Sequence, residues 1–153
     1  MRRLIEKYRL IPHPEGGHFR ETHRSAQTVY SPKAGEERAA LTHIYFLLQK
    51  GEISRFHRVL HDEIWHFYEG DPIRVFLFDG RGVREETIGP GRDSYFCAAP
   101  GGVFQAAEST GDHSLAGCVV APGFDFKDFS FLADHDDLSA RFRSLCPDLE
   151  RFL

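Results

Sequence analysis

The sequence predicts a mainly β protein, an antiparallel sandwich or barrel with a short helix at each end. Three observations carry that prediction. From Gly17 to about Val120 the chain is a series of short segments rich in β-branched and aromatic residues. Turn residues, among them Lys50-Gly51, Gly70-Asp71-Pro72, Asp79-Gly80-Arg81-Gly82 and Pro100-Gly101-Gly102, interrupt it at the roughly 8–12-residue spacing of sandwiches and barrels. Helical periodicity appears only near the two termini. With 153 residues, 41% hydrophobic and including 14 Phe, one domain of this length can bury a core without disulfides or a structural metal.

Taken in order, Leu4, Ile5 and Tyr8 share one side of a helix over residues 1–10, and the run Ile11-Pro12-His13-Pro14-Glu15-Gly16-Gly17 ends it. The barrel is expected over about 17–131, within a single domain spanning 1–153. Leu41 to Leu48 is apolar on both faces. That suits a central strand with the core on one side and a second subunit or a terminal helix on the other. Asp79-Gly80-Arg81-Gly82 reads as a hairpin turn between Val75-Phe76-Leu77-Phe78 and a strand from Val83 to Ile88. The alternation of Phe with polar residues over Pro122 to Phe129 most simply seats the last strand. A closing helix over 134–146 is predicted from the acids Asp134, Asp136 and Asp137, the spacing of Leu138, Phe142 and Leu145, and the stop at Pro147.

The formal net charge of −4 comes with dispersed basic residues, which argues against nucleic acid polymers and anionic membranes as partners. Apolar runs such as Ile44 to Leu48 are far too short to span a bilayer, and no apolar stretch follows Arg2-Arg3. Three cysteines, Cys97, Cys118 and Cys146, form no CxxC pair, so reduced thiols and a cytoplasmic location are expected.

The chemistry concentrates between Gly51 and Gly70. If Ile53–Val59 and Glu63–Glu69 are strands, period-two alternation puts Ile53, Arg55, His57 and Val59 on one face, and Glu63, Trp65 and Phe67 on a face of the next. An imidazole and a carboxylate then meet inside the barrel. Polar groups there are costly unless paired or used by a ligand, so His57 with Glu63 reads as a functional pair. Arg55, inward beside His57, would need Glu63 or a ligand phosphate as its anion. Trp65 and Phe67 serve equally as core or as stacking surfaces. By the same parity His66 and Tyr68 point outward, toward packing or a subunit contact. Glu15, Arg20 and Glu21 lie on or beside the first strand, where solvation is the commoner role of a charge. Asp125 and Asp128 are remote candidates for the acid partner of His57, His61 has no assigned role, and Cys97 has no adjacent base.

Gly51, His57, Glu63 and Gly70 fall in register on the first motif of the cupin superfamily, with Val59 at the position of its second histidine. Pro100-Gly101-Gly102 matches the second motif, in which Ser94 replaces a Gly, Gln105 a His and Ser109 an Asn. Together with Ile11 to Gly17, Phe56-His57-Arg58-Val59 and Asp62-Glu63-Ile64-Trp65-His66, the chain resembles a small cupin family known as cupin 5. The resemblance implies a double-stranded β-helix (jelly roll), a homodimer and a ligand pocket inside the barrel, without a family-wide reaction. Gly17-His18-Phe19-Arg20-Glu21 and Arg55-Phe56-His57 are also similar to stretches of metal-free cupin epimerases of nucleotide-linked 4-keto sugars, whose histidine is the general base. Gly16 stands where those enzymes carry Arg.

The expectation is therefore a homodimer that binds a small sugar-like or anionic ligand, nucleotide-linked in the epimerase likeness. If it is an enzyme, His57 is the acid/base of an epimerisation or isomerisation beside a carbonyl, with Arg55, Glu63, Gln105, Trp65, Phe67 and Glu21 as ligand contacts. No cofactor is required. A usual cupin metal site offers three His and one Glu, whereas His57, Glu63 and Gln105 offer one nitrogen, one carboxylate and one amide oxygen, a set suited at most to a weakly held divalent ion. The alternatives are a divalent-metal-dependent cupin enzyme and a non-catalytic sensor or storage module.

Overall fold

The computed structural model describes residues 2–153. Its strands are β1 (Ile11–Pro12), β2 (His18–Arg24), β3 (Thr28–Ser31), β4 (Glu36–Ala39), β5 (Thr42–Gln49), β6 (Ile53–Arg58), β7 (Asp62–Gly70), β8 (Ile73–Phe78), β9 (Val83–Ile88), β10 (Phe96–Ala99), β11 (Phe104–Ser109), β12 (His113–Ala121) and β13 (Ser130–Phe131). One sheet runs β1-β2-β5-β12-β7-β10, a second runs β13-β6-β11-β8-β9, and β3 and β4 form a separate arm. Neighbours are antiparallel throughout these sheets. This is the mainly β jelly roll that the sequence predicts, and the β8–β9 hairpin turns at Asp79–Gly82, where Asp79 accepts from the Arg81 and Gly82 amides.

The sheets pack face to face over a core that includes Phe46, Leu48, Trp65, Ile73, Val75, Leu77 and Ile88. The outer face of β5 is covered in part by the opening helix α1 (Arg2–Tyr8), whose Leu4, Ile5 and Tyr8 pack on Leu47, Leu115 and Leu10. The terminal helix thus supplies one of the two covers expected for this strand. Behind the five-stranded sheet, Phe56, Phe76, Phe78 and Phe104 pack on Leu132, Phe142 and Phe152. The closing helix α2 (Asp136–Leu145) carries Asp136 and Asp137 in its first turn and buries Phe142, but Leu145 is 47% exposed and lies outside the predicted stripe.

Two local features depart from the strand parity read from sequence. The β6–β11 ladder pairs Gln105 with His57 and Ala107 with Ser54, so Arg55 and Phe56 together oppose Ala106. This bulge puts Ser54 and His57 on the same inward face and sends Phe56 to the helix side. Arg55 is carried off the face of His57. It packs over the Phe131 ring at 4.2 Å and donates to the Pro14 carbonyl at 2.9 Å, away from Glu63. Residues 122–129 are not a strand either. They cross the barrel mouth with one 3-10 turn at Phe126–Asp128, and the last strand is only Ser130–Phe131.

Candidate functional site

The loop between β1 and β2 delivers the first functional carboxylate. Gly16 and Gly17 take φ of 113° and 66°, conformations that glycine adopts without strain. A Cβ on Gly16 would lie 2.0 Å from the Ile53 carbonyl oxygen, so only glycine lets the loop lie flat on β6. The Arg55 amide then donates to the Glu15 carbonyl at 2.9 Å. Glu15 is only 5% exposed, which overturns its reading as a solvated charge. Its Oε2 lies 3.0 Å from His57 Nε2, and its Oε1 accepts from the Ser54 hydroxyl at 2.8 Å.

His57 is held from both sides. Its Nδ1 is 2.7 Å from the Arg55 carbonyl oxygen, which can only accept, so Nδ1 carries a proton. The contact from Nε2 to Glu15 requires one more proton, shared along that axis. The Phe129 ring stacks on the imidazole at 5.3 Å. Burial opposes the charge on His57, but the Glu15 carboxylate outweighs it and raises the pKa above the ordinary imidazole value. Burial likewise opposes the charge on Glu15, and the attraction of His57 outweighs it, holding that carboxyl below its ordinary value. Both shifts favour a carboxylate facing an imidazolium. His13, on the other side of Glu15, accepts from the Glu15 amide through Nδ1 at 3.2 Å and is therefore neutral, as its burial favours.

Glu63 sits apart from that pair, and the partner expected for it, His57, has taken Glu15 instead. Trp65 Nε1, a donor only, points at Gln105 Oε1 at 2.7 Å. This orients the Gln105 amide so that its Nε2 donates to Glu63 Oε2. Burial, reinforced by the repulsion of Glu15, pushes Glu63 up to about 7 against the pull of His57 and Gln105. Beside it, burial holds the Cys118 thiol far above its usual titration range.

These groups line a cavity of about 260 Å³ inside the barrel. Its walls include Phe19, Phe46, Phe124, Phe126 and Phe129, with Val59 next to His57, and its mouth carries Glu21, Arg24 and Asp125. Both guanidinium ends of Arg24 are engaged, by Glu21 at 2.7 and 3.0 Å and by the Phe124 carbonyl at 3.0 Å. Of the catalytic and ligand-contact residues named from sequence, His57, Glu63 and Glu21 meet at the cavity. Gln105 and Trp65 stand behind Glu63, and Phe67 packs beside Tyr95 in the core, away from the lining. Asp125 caps the 3-10 turn through the Lys127 amide, and Asp128 binds Arg38, so neither is the partner of His57. His61 bonds Ser31 at 2.7 Å and fastens the β3–β4 arm, while Tyr68 meets His43 on the outer sheet face. Sequence reasoning gave too little weight to Glu15 and to the three Phe of residues 124–129. The available signal was an acid immediately before two glycines.

His57, Glu63 and Gln105 do not form a metal-ligand set. Both imidazole nitrogens are committed, and the Gln105 oxygen faces Trp65 rather than a shared point. No group of three or more His, Cys, Asp or Glu side chains among the described residues is arranged to hold an ion. Nor is any helix among them long and apolar enough to cross a membrane.

Comparison with known proteins places this architecture. Residues 2–132 match the family model described as Cupin superfamily (DUF985). The chain is 34% identical to the uncharacterized protein YML079W of Saccharomyces cerevisiae, over 90% of this chain and 78% of that one. A hypothetical protein from Leishmania major superposes with a TM-score of 0.81 at 30% identity, covering 97% of this chain and 93% of that one. Oxalate decarboxylase from Bacillus subtilis shares the fold alone, with a TM-score of 0.61 at 18% identity, over 93% of this chain and 36% of that one. The motif residues, the two-sheet barrel and these matches together establish that the chain belongs to the DUF985 family of the cupin superfamily.

Proposed function

We propose that this cupin binds a small organic molecule in the barrel and moves a proton on it, as an isomerase or epimerase acting beside a carbonyl. The observation that carries the reading is the buried Glu15–His57 pair at 3.0 Å, set against a cavity of about 260 Å³ walled by five Phe side chains. A buried ion pair is weak evidence for stability alone, whereas a paired acid and base facing a cavity is what proton transfer needs. His57 serves as half of this pair rather than as a lone base, because its nitrogens are already bonded to Arg55 and Glu15. The Glu15 carboxylate takes the proton from the carbon next to the carbonyl, the C–H electrons pass into an enolate, and the imidazolium stabilises the pair as charge moves. Return of the proton to the other face, or to the neighbouring carbon, completes the reaction without net oxidation.

Deuterium incorporation at the methylene of phenylacetone, followed by NMR in deuterated buffer, tests this reading. The natural protein is expected to accelerate exchange over buffer, and Glu15→Gln and His57→Asn to reduce the rate at least about 100-fold. A rate equal to buffer, or variants as active as the natural protein, refutes it.

A further inference from the structure

We infer that the cavity is built for an uncharged ligand with an aromatic or aliphatic body, whose carbonyl oxygen accepts a hydrogen bond from the Glu63 carboxyl. The inference rests on the reading of this cavity as a substrate site, and it narrows the ligand away from the anionic and nucleotide-linked class expected from sequence. Charge decides first. Among the described residues Arg24 is the one Lys or Arg side chain lining the cavity, and its guanidinium is spent on Glu21 and the Phe124 carbonyl. The positive charge of His57 is met by Glu15. Four carboxyl groups, from Glu15, Glu21, Glu63 and Asp125, also face the space. A phosphate or carboxylate entering here loses its hydration and meets no uncommitted cation among the described lining residues.

The walls decide second. Phe19, Phe46, Phe124, Phe126 and Phe129 surround the space, and such faces match a ring or a branched hydrocarbon better than a hydroxyl-rich sugar. The position of Glu63 decides third. It is buried, with the Gln105 amide and the Cys118 thiol as its hydrogen-bonding neighbours, and among the described residues it forms no ion pair, the nearby His57 acting on it only through space. A carboxyl in that setting holds its proton up to about pH 7. It is therefore a neutral donor that can hold a carbonyl oxygen as negative charge develops on it. The buried Trp65–Gln105–Glu63 chain fixes the orientation of that donor.

Isothermal titration of the full chain at pH 6 with phenylacetone, phenylpyruvate and glucose 1-phosphate tests the inference, since the first two share a ring and a ketone and differ by a carboxylate. Phenylacetone is expected to bind at least tenfold more tightly than phenylpyruvate, and glucose 1-phosphate to show no saturable heat. Glu63→Met should weaken phenylacetone at least fivefold, while the isosteric Glu63→Gln, which keeps an N–H donor, should stay within about twofold. Equal or tighter binding of either anion, no binding of phenylacetone, or a Glu63→Met variant that folds and binds unchanged overturns it. Binding with this preference but without deuterium exchange sustains the ligand class while refuting the proton-transfer reading, so the two fail separately.

Discussion

Replacing Glu63 by Gln probes the electrostatics of the site through stability alone. In the folded protein burial raises this carboxyl from the usual 4.5 to about 7, so between those values the folded state holds a proton that the unfolded chain has released. The stability from this group is therefore fully present below about pH 4.5 and is lost as pH rises through about 7. At roughly 1.4 kcal/mol for each tenfold change in proton affinity, the loss is about 3 kcal/mol. Glutamine keeps the shape, accepts from Gln105 with its oxygen as Glu63 does, and does not titrate. The variant should thus gain about 2.5 kcal/mol relative to the natural protein between pH 5 and pH 8.5, while contributions common to both proteins cancel in the difference. Urea unfolding at half-unit pH intervals measures it. Two stability curves that run parallel across this window would refute the assignment of Glu63 as a neutral buried acid.

The loop that carries Glu15 gives a second test. Gly16→Ala should cost at least about 3 kcal/mol in thermal unfolding, because its Cβ would lie 2.0 Å from the Ile53 carbonyl. Gly80→Ala, at φ 89° but with Leu138 as its nearest contact at 3.9 Å, should cost only about 1–2 kcal/mol. Equal costs would deny the loop its special packing. His57→Ala leaves Glu15 buried with Ser54 as its remaining side-chain donor and should lower stability at pH 7 by about 3 kcal/mol, with the deficit shrinking in acid as Glu15 takes a proton. A deficit unchanged down to pH 4 would contradict that account. Arg38 clamps Asp128 with two hydrogen bonds of 2.8 and 2.9 Å, so Arg38→Ala should speed chymotrypsin cleavage between Phe124 and Phe129, read by mass spectrometry; unchanged cleavage would show that this clamp does not hold the mouth. Sedimentation velocity at micromolar concentration is expected to give a homodimer through the outer face of the six-stranded sheet, where Phe96 is 57% and Tyr68 45% exposed, and Phe96→Asp should shift it to monomer. A natural protein that sediments as a monomer ends that expectation.

Much of the architecture follows from local chemistry. The turn residues at short intervals, the Asp79–Gly82 hairpin and the Phe142 stripe of the closing helix are decided within a few residues of chain, where propensity and turn geometry act directly. The inward placement of His57, Val59 and Glu63 was also legible, from motif register together with strand alternation. Tertiary structure decided the rest. The bulge at Arg55 and Phe56 exists only because the two residues share one partner, Ala106, and a count of two residues against one cannot be read from either strand alone. It removed Arg55 from the site and set Ser54 beside His57. Glu15 became the partner of His57 because Gly16 fits against Ile53, a contact between segments far apart in sequence. The Phe residues of 124–129 became cavity wall instead of strand because Arg24, Arg38 and Thr42 hold that segment across the mouth. Alternation of residue types constrains which face a side chain takes relative to its own backbone, whereas the identity of a buried polar partner depends on which distant backbone comes within hydrogen-bond reach, and only the folded chain fixes that.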